Sequence, residues 1–453
     1  MITEAIDHYH SLLAGPRLDD LRERLDRAAA EQLTFRGRPL CQSLRPGLMS
    51  TRRYAEFMAR TEVVLSAIAR VGEALAEDEL VREFLQLSRI ERELAAIDPG
   101  YFGPEASGRL DGLVGPDGGL RFIEYNADSP GGLLYGHALA EIFMDSAVGH
   151  EFAKRYPIRS IDVRDRLTRT LLGCYRDWLG AAGRERPHIA IVDWADVPTR
   201  AEFEICREHF QRLGIPTIIA TPEELHYRGG WLWAGDFRIT LVYKRVVIAE
   251  LIERCGRKGL AEHPLVRAVR ERAVCLVNGF RAQALTQKLV FAILDDPVFE
   301  YLFSAAQIAA LRRHIPWTRL CHQGMTTWHG QRIDLLEFAI ANQERLVLKP
   351  TGNYGGRGVT LGWECTADEW QRALTESLGA RFVIQERVET KPESFPIGEG
   401  GGFRLENRYA DFSPYTWQGE LAEGAGIRLS DSALLNVAAG GGSAVPLLLV
   451  DER

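Results

Sequence analysis

The sequence RLDGLVGPDGGLRFIEYN, residues 109–126, has the pattern of a β-hairpin. Two strand-like runs flank GPDGG, whose glycine, proline and aspartate are typical of tight turns. If the turn is centred between its aspartate and the glycine that follows, Asp111 pairs with Glu124 and Arg109 pairs with Asn126. Because side chains two positions apart on a strand share a face, we expect all four polar groups on one face of the hairpin.

Two carboxylates and an amide oxygen on one face are hard ligands of the kind that Mg²⁺ binds, together with phosphates and water. Like charges directly across a hairpin repel each other, so the pairing of Asp111 with Glu124 requires a cation or another strong partner. A second interpretation stays open, in which the face is solvated and Arg109 neutralises one of the acids.

A lysine followed by glycines forms a second feature, in RLVLKPTGNYGGRGV. Lys349 ends a predicted strand, Leu346–Lys349, and four glycines follow it within nine residues. Glycines allow backbone N–H groups to approach phosphate oxygens, and the lysine supplies a positive charge. The lysine precedes the glycines, unlike the order in the GxxxxGK[ST] phosphate loop. An ordinary glycine-rich turn between strands is the alternative.

Two further segments place polar residues beside apolar runs. We expect a helix over Ala282–Leu294, on which Lys288 lies among apolar residues and either reaches the surface or meets an anion in a cleft. The strand RFVIQERVE ends in Gln385 and Glu386, with Val388 beyond them. Such a strand either offers free backbone groups to an adenine edge or is simply part of the core.

The C-terminal stretch IRLSDSALLNVAAGGGSAVP places Arg428 and Asn436 on either side of an apolar run. Gly440, Gly441 and Gly442 follow and allow close approach of the backbone. The alternative is a terminal turn between two strands.

Residues 155–280 have the alternating pattern of an α/β unit. We predict strands at His188–Val192 and Ile215–Ala220, joined by a helix at Thr199–Leu213 in a right-handed crossover. Residues 1–100 have helical spacing of apolar residues and few glycines, which predicts a helical region.

The composition, with 453 residues of which 46% are hydrophobic and 26% charged, is typical of a globular protein with about three domains. The net charge of −7 gives no support to a general nucleic-acid binder, because phosphate contacts need clustered lysines and arginines. Seven scattered cysteines without a CxxC pair favour a reducing compartment. With neither a signal-peptide pattern nor a membrane-length apolar run, we expect a soluble cytoplasmic protein.

Together these segments resemble the ATP-grasp ligases. In the usual family order the two lysines precede the acidic hairpin, whereas here the hairpin precedes Lys288 by more than 150 residues. That order resembles the circularly permuted branch, which includes glutathionylspermidine synthase-like proteins; FIEYNADSPGG and NVAAGGGSAVP are typical of it. The resemblance implies an α/β (α+β) fold, a circularly permuted ATP-grasp with an N-terminal helical region.

The resemblance also implies ATP and Mg²⁺ as cofactors and assigns residues to them. The residues implied for Mg²⁺ are Asp111, Glu124 and Asn126. The residues implied for ATP are Lys288, Lys349, Gly355, Gly356, Gly358, Gln385, Glu386 and Val388. The residues implied in catalysis are Arg109 and Arg428.

Four substrate contacts are predicted from position alone. Asp128 and Ser129 directly follow the hairpin and are expected near the amine. Lys244 and Arg245 end a predicted strand of the α/β unit, where ligands of open sheets bind, and are expected to hold a carboxylate. Structural pairing of these two cations with nearby acids such as Glu250 is the alternative.

The permuted order requires the hairpin to pack with the C-terminal strands, so we expect one unit built from both ends of the chain. The expected units are an N-terminal helical region, a metal and catalytic subdomain, an α/β domain on the substrate side and an ATP-binding subdomain. They span 1–100, 101–150 plus 400–453, 151–280 and 281–399, respectively.

The implied function is ATP-dependent joining of a small-molecule carboxylate to an amine through an acylphosphate, with release of ADP and phosphate. A non-catalytic ATP-binding regulatory module and a small-molecule phosphotransferase are the alternatives. No nucleic-acid or membrane partner is expected. The sequence does not name the acid or the amine.

Overall fold

The computed structural model describes residues 2–31, 33–181, 183–353, 355–432 and 442–451 of the chain. It is a mixed α/β structure with several separate sheets. Helices predominate in the first hundred residues, as the sequence predicts, and lie at Ile2–Leu12, Pro16–Glu31, Thr51–Glu77, Glu79–Phe84 and Arg89–Ala95. The sequence pattern does not show three short strands in this region, at Thr34–Phe35, Arg38–Pro39 and Gly47–Ser50.

The helix Thr51–Glu77 joins the N-terminal region to the rest of the protein. Its N-terminus is capped by Ser50, whose side chain accepts a hydrogen bond from the backbone N–H of Arg53. Its buried residues recur at three- and four-residue intervals and so form one apolar face. That face contacts the strand Leu421–Ser430 and the helix Ala305–His314, which belong to two later units.

The predicted hairpin consists of the strands Ser107–Val114 and Leu120–Asn126 and lies at one edge of a seven-stranded sheet. Its first strand pairs antiparallel with Ser413–Trp417, so this sheet combines segments about 300 residues apart. The remaining strands of the sheet are Glu393–Glu399, Gly402–Ala410, Leu421–Ser430 and Ser443–Val445. The final strand, Leu447–Val450, pairs with Gly47–Ser50 and Ile158–Arg159. The predicted turn residues Asn436, Gly440 and Gly441 lie outside the described residues.

The α/β unit contains a parallel four-stranded sheet in the order Cys275–Val277, Leu241–Lys244, Ile189–Val192 and Thr217–Ala220. The predicted strand–helix–strand crossover is confirmed, with the helix at Arg200–Arg212. The other helices from the hairpin to the end of this unit are Tyr135–Asp145, Ala147–Arg155, Val163–Leu179, Ile248–Glu262 and Pro264–Arg270. A small antiparallel sheet contains Leu225–Arg228, Trp231–Ala234 and Phe237–Ile239.

The next unit contains an antiparallel four-stranded sheet in the order Thr318–Leu320, Phe382–Glu386, Leu346–Pro350 and Thr360–Leu361. Its longer helices lie at Ala305–His314, Leu335–Ala341 and Ala367–Ser377, and the strands Met325–Trp328 and Gln331–Asp334 form a separate hairpin. The predicted strand ending at Glu386 and the predicted strand leading to Lys349 are both present. They pair with each other, which brings their polar ends into one sheet.

The prediction of one continuous helix over Ala282–Leu294 is wrong. The chain forms two short helices, Ala282–Leu285 and Leu289–Asp295, and Lys288 lies at the start of the second. The backbone N–H of Lys288 donates to the carbonyl oxygen of Thr351 at 3.1 Å. A hydrogen bond to the glycine-loop segment therefore replaces the bond that a continuous helix would make to the residue four positions earlier.

Three apolar clusters form the core. The largest contains Phe57 of the long N-terminal helix, Phe122 of the hairpin and Trp417 of the C-terminal strands. The other two lie in the α/β unit and around Trp370 in the following unit. None of the helices in the described part of the chain has the length and apolar character that a membrane span requires.

Candidate functional site

A cavity of about 420 Å³ lies where the seven-stranded sheet, the glycine-loop segment and the loop after the hairpin meet. Most of the predicted site residues line it: Arg109, Asp111, Glu124, Asn126, Asp128, Ser129, Lys288, Lys349, Gly355, Gly356, Gln385, Glu386, Val388 and Arg428. Three predicted residues, Gly358, Lys244 and Arg245, are not part of its lining.

The predicted pairing of Asp111 with Glu124 is confirmed, although the turn differs from the prediction. The backbone N–H of Gly115 donates to the carbonyl oxygen of Gly119 at 2.9 Å, so the turn is centred on the residue midway between them. The register shifts by one residue beyond Asp111, which leaves Ile123 as a bulge. The bulge restores the predicted register at the polar end of the hairpin.

Asp111 lies between two arginines at the base of the cavity. Its Oδ1 accepts from Arg109 Nε at 2.6 Å, and its Oδ2 accepts from Arg428 Nη2 at 2.7 Å. Burial opposes ionisation of Asp111, but the two guanidinium groups hold the pKa of its carboxyl well below the usual range. Asp411 is a second buried acid here, and its Oδ2 accepts from Arg428 Nε at 2.6 Å. The carboxylates therefore fix both arginines in a charged cluster.

Two lysines approach the hairpin from the neighbouring unit. Lys288 Nζ lies 3.2 Å from Glu124 Oε2 and donates to the carbonyl oxygen of Asn353 at 2.7 Å. Lys349 Nζ donates to Gln385 Oε1 at 2.6 Å and lies 3.4 Å from the carbonyl oxygen of the bulged Ile123.

The pKa of the Lys349 ammonium is lowered to about 8. Burial is the largest cause and the nearby Lys288 adds to it, while Glu124 acts in the opposite direction. The ammonium groups of Lys288 and Lys349 both line the cavity, and together they attract an anion.

The residues predicted to bind adenine, Gln385, Glu386 and Val388, line the same cavity as these lysines. Glu386 contacts His329 at 3.4 Å and Arg345 at 3.6 Å, and burial raises the pKa of its carboxyl against the effect of these cations.

In the glycine loop, Gly355 and Gly356 have φ angles of 66° and 72°, a backbone region that other residues rarely adopt.

The loop after the hairpin is held by the α/β unit. Lys244 makes a fully buried ion pair with Asp128. The carbonyl oxygen of Lys244 accepts from Ser129 Oγ at 2.8 Å. Arg245 Nη1 donates to the carbonyl oxygen of Pro130 at 2.7 Å. Lys244 and Arg245 therefore lie at the carboxyl end of a parallel strand, as the sequence predicts. The ligand that they bind there is the chain's own loop.

The prediction that Lys244 and Arg245 hold a substrate carboxylate receives no support from these contacts. Both side chains are buried, and neither lines the cavity. Their pairing is structural, and the acids are Asp128 and Glu202, the latter 3.5 Å from Arg245 Nη2. Glu250 instead accepts a hydrogen bond from an indole N–H.

Asn278, which the sequence analysis missed, links the α/β unit to both ends of the hairpin. Its Oδ1 accepts from the backbone N–H groups of Ala106 and Ser107 at 2.9 and 3.0 Å. Its Nδ2 donates to the carbonyl oxygens of Ser107 and Ala127, both at 2.7 Å. In the sequence, the one indication of this role is that Asn278 directly follows the apolar strand Cys275–Val277. Asp411 had no comparable signal, because its role depends on strand pairing with the segment of Arg428.

No family model and no curated protein matches the sequence. Among solved structures, the chain is similar to a glutathione synthetase-like effector from Globodera pallida, determined in its apo form. The two proteins share a fold. The TM-score is 0.61 at 12% sequence identity, over 97% of this chain and 99% of the other. At this identity the similarity concerns the fold alone.

Proposed function

We propose that the protein is an ADP-forming ligase that joins a small carboxylic acid to an amine. The main support is one contact between distant parts of the chain, in which Lys288 of the glycine-loop unit lies 3.2 Å from Glu124 of the hairpin. A pair of lysines beside carboxylates on a hairpin matches the needs of an ATP–magnesium complex, in which cations bind phosphates and carboxylates bind the metal.

The proposed architecture is a circularly permuted ATP-grasp. In its support, residues 101–150 and 400–453 both contribute strands to the seven-stranded sheet. We assign the metal and catalytic groups to this unit, the ATP-binding groups to 281–399 and the substrate side to 151–280. Residues 1–100 pack across the other units as the N-terminal helical region. The shared fold with a glutathione synthetase-like effector agrees with this assignment.

ATP is the proposed energy source. Lys288 and Lys349 bind its phosphates, and the backbone of Gly355 and Gly356 approaches them from the glycine loop. Adenine binds at the strand end that contains Gln385, with Glu386 and Val388 beside it in the cavity lining. Gly358 supports the loop from outside the lining and is proposed only as part of the loop.

Mg²⁺ is the proposed metal, and the donor set fits a shared rather than a fully protein-bound ion. Asp111 and Glu124 face each other across the hairpin, and Asn126, two residues beyond Glu124 on the same strand, also lines the cavity. Within the described residues no group of three or more His, Cys, Asp or Glu side chains is arranged to hold a metal. Mg²⁺ commonly uses one or two carboxylates plus phosphate oxygens and neutralises charge on the transferred phosphoryl group.

In the proposed reaction, a carboxylate oxygen of the acid attacks the γ-phosphorus of ATP, the bond from that phosphorus to the bridging oxygen breaks, and ADP leaves. The amine then attacks the acyl carbon and loses a proton, and phosphate leaves with the former carboxylate oxygen. Arg109 and Arg428 are fixed cations at this end of the cavity, suited to stabilise the negative oxygen of the tetrahedral intermediate.

The test is a screen for ADP release with ATP and Mg²⁺ across amino acids, small peptides and polyamines, with the product identified by mass. We expect an amide together with ADP. Glu124→Gln should reduce turnover at least about 100-fold, the usual cost of losing a group that stabilises transition-state charge. Glu376→Gln, on the exposed face of the helix Ala367–Ser377, is the matched control and should retain full turnover.

The other outcomes are equally definite. A phosphorylated small molecule with ADP would identify a phosphotransferase, and ATP binding without turnover on the whole panel would identify a binding module. Undiminished ADP release by Glu124→Gln would contradict the assignment of this residue to the metal.

A further inference from the structure

The end of the cavity beside Arg428 has an apolar wall that comes from the N-terminal region. The first short hairpin of the chain brings Phe35 and Leu40 into the cavity lining. The carbonyl oxygen of Leu40 accepts from the backbone N–H of Ala444 at 2.8 Å, and Ala444 pairs with Arg428 on the neighbouring strand. Leu40 therefore lies two strand spacings, about 10 Å, from Arg428.

Tyr409 extends this wall from the opposite side of Arg428. It lines the cavity and pairs with Ser430, two residues beyond Arg428, so the two side chains share a face of the sheet. Leu40 and Tyr409 thus lie on either side of the strand of Arg428, and Phe35 lines the same cavity. Arg428 uses Nε and Nη2 for its carboxylate contacts, which leaves Nη1 for a ligand.

The acids around the cavity are already paired with cations. Among the described lining residues the pairs are Asp111 with Arg109, Glu124 with Lys288, Asp128 with Lys244, Glu386 with Arg345, and Asp411 with Arg428. Residues 433–441, ALLNVAAGG, contain no acid in their sequence either. At this end Asp111 and Asp411 are each bound by arginine, so a polyamine, which needs several carboxylates, would have to compete with those arginines for them.

We infer that the carboxylic acid substrate carries an aromatic or branched aliphatic group that packs on Phe35, Leu40 and Tyr409 while its carboxylate binds Arg428. The inference rests on the proposed ligase function and names its acid as an aryl or branched-chain acid. The N-terminal region, which packs against the other units, thereby determines which acid is accepted.

The experiment measures binding rather than turnover, by calorimetry on the full chain with phenylpropionate, glutarate and spermidine. We expect phenylpropionate to bind at least tenfold more tightly than the other two. Phe35→Ala and Tyr409→Ala should each weaken phenylpropionate about tenfold, the effect of losing part of an aromatic contact. Neither should change the affinity for a non-hydrolysable ATP analogue. Phe102→Ala, an aromatic that is 66% exposed and outside the cavity, is the control.

Two variants on separate strands keep the test valid if one of them misfolds. The inference is overturned if phenylpropionate does not bind, if spermidine or glutarate binds as tightly, or if both folded variants keep the full affinity for phenylpropionate. Failure of the ligase function is a different result, in which phenylpropionate binds as expected but no amine yields ADP. In that case the apolar acid site stands without the chemistry.

Discussion

Lys349 provides a direct pH test of the proposed phosphate site. Its side chain is buried, and burial, aided by Lys288 and opposed by Glu124, lowers its pKa to about 8. Only the charged ammonium attracts a phosphate. The apparent affinity for ATP should therefore fall as the pH rises above 8, in proportion to the protonated fraction of Lys349.

The expected size follows from the pKa. About nine-tenths of the Lys349 side chains are protonated at pH 7 and about one-tenth at pH 9, so the dissociation constant should rise about tenfold over that range. A lysine with an ordinary pKa of about 10.4 stays charged throughout and gives no such change. ATP can only lose protons and become more negative over this interval, which favours binding to a cation, so a loss of affinity comes from the protein.

The assay is a titration with a fluorescent ATP analogue, without metal, at a series of pH values. Lys349→Arg keeps its charge and should give a nearly constant affinity, whereas Lys349→Met should bind weakly at every pH. A tenfold loss that persists in Lys349→Arg would refute the assignment, as would a constant affinity in the unmodified protein. The effect on stability has the opposite sign, because the unfolded chain binds more protons between the two pKa values, so the contribution of Lys349 to the unfolding free energy rises with pH there.

Three further substitutions test the cluster and its supports. Asp111→Asn should lower the free energy of unfolding in denaturant by about 3 kcal/mol, because it leaves two buried arginines short of a counter-charge; an unchanged midpoint would contradict that role. Asn278→Ala removes four hydrogen bonds and should lower the free energy of unfolding by about 3 kcal/mol. This variant should also have reduced turnover, and calorimetry should show an unchanged affinity for ATP. Lys244→Met should destabilise by about 3 kcal/mol, and adding Asp128→Asn should recover most of the loss; a double variant no more stable than the single would exclude the ion pair as the cause.

The sequence predicted those parts of the site that depend on residues close together in the chain. The GPDGG turn and the alternation of strand residues place Asp111 opposite Glu124 without any knowledge of the rest of the chain. Even here the agreement depended on a bulge at Ile123 that offsets the wrong turn centre. A bulge leaves no sequence signal in this strand, because it arises from how the ladder fits its neighbours.

The errors arose where tertiary contacts override local preference. The apolar spacing around Lys288 fits a helix, yet its backbone N–H bonds to Thr351 from another segment and the helix is interrupted. The sequence indicated the end of a parallel strand as a ligand-binding position, but Lys244 and Arg245 bind the chain's own loop at 128–130 there. A single sequence does not show which of two carboxylates, a substrate's or the chain's own, lies at such a strand end.

The hairpin is held in place by one unit, and the lysines that face its polar end come from another. Lys244, Arg245 and Asn278 all lie at the carboxyl ends of strands in the α/β sheet, and all bind the hairpin or its following loop. The two lysines proposed to bind phosphate belong to a different unit and contact the hairpin at its polar end. We therefore expect loss of a support in the α/β unit to displace the hairpin and to leave the proposed phosphate site intact. Nucleotide affinity and turnover should separate in such variants, whereas changes to the lysines should reduce both.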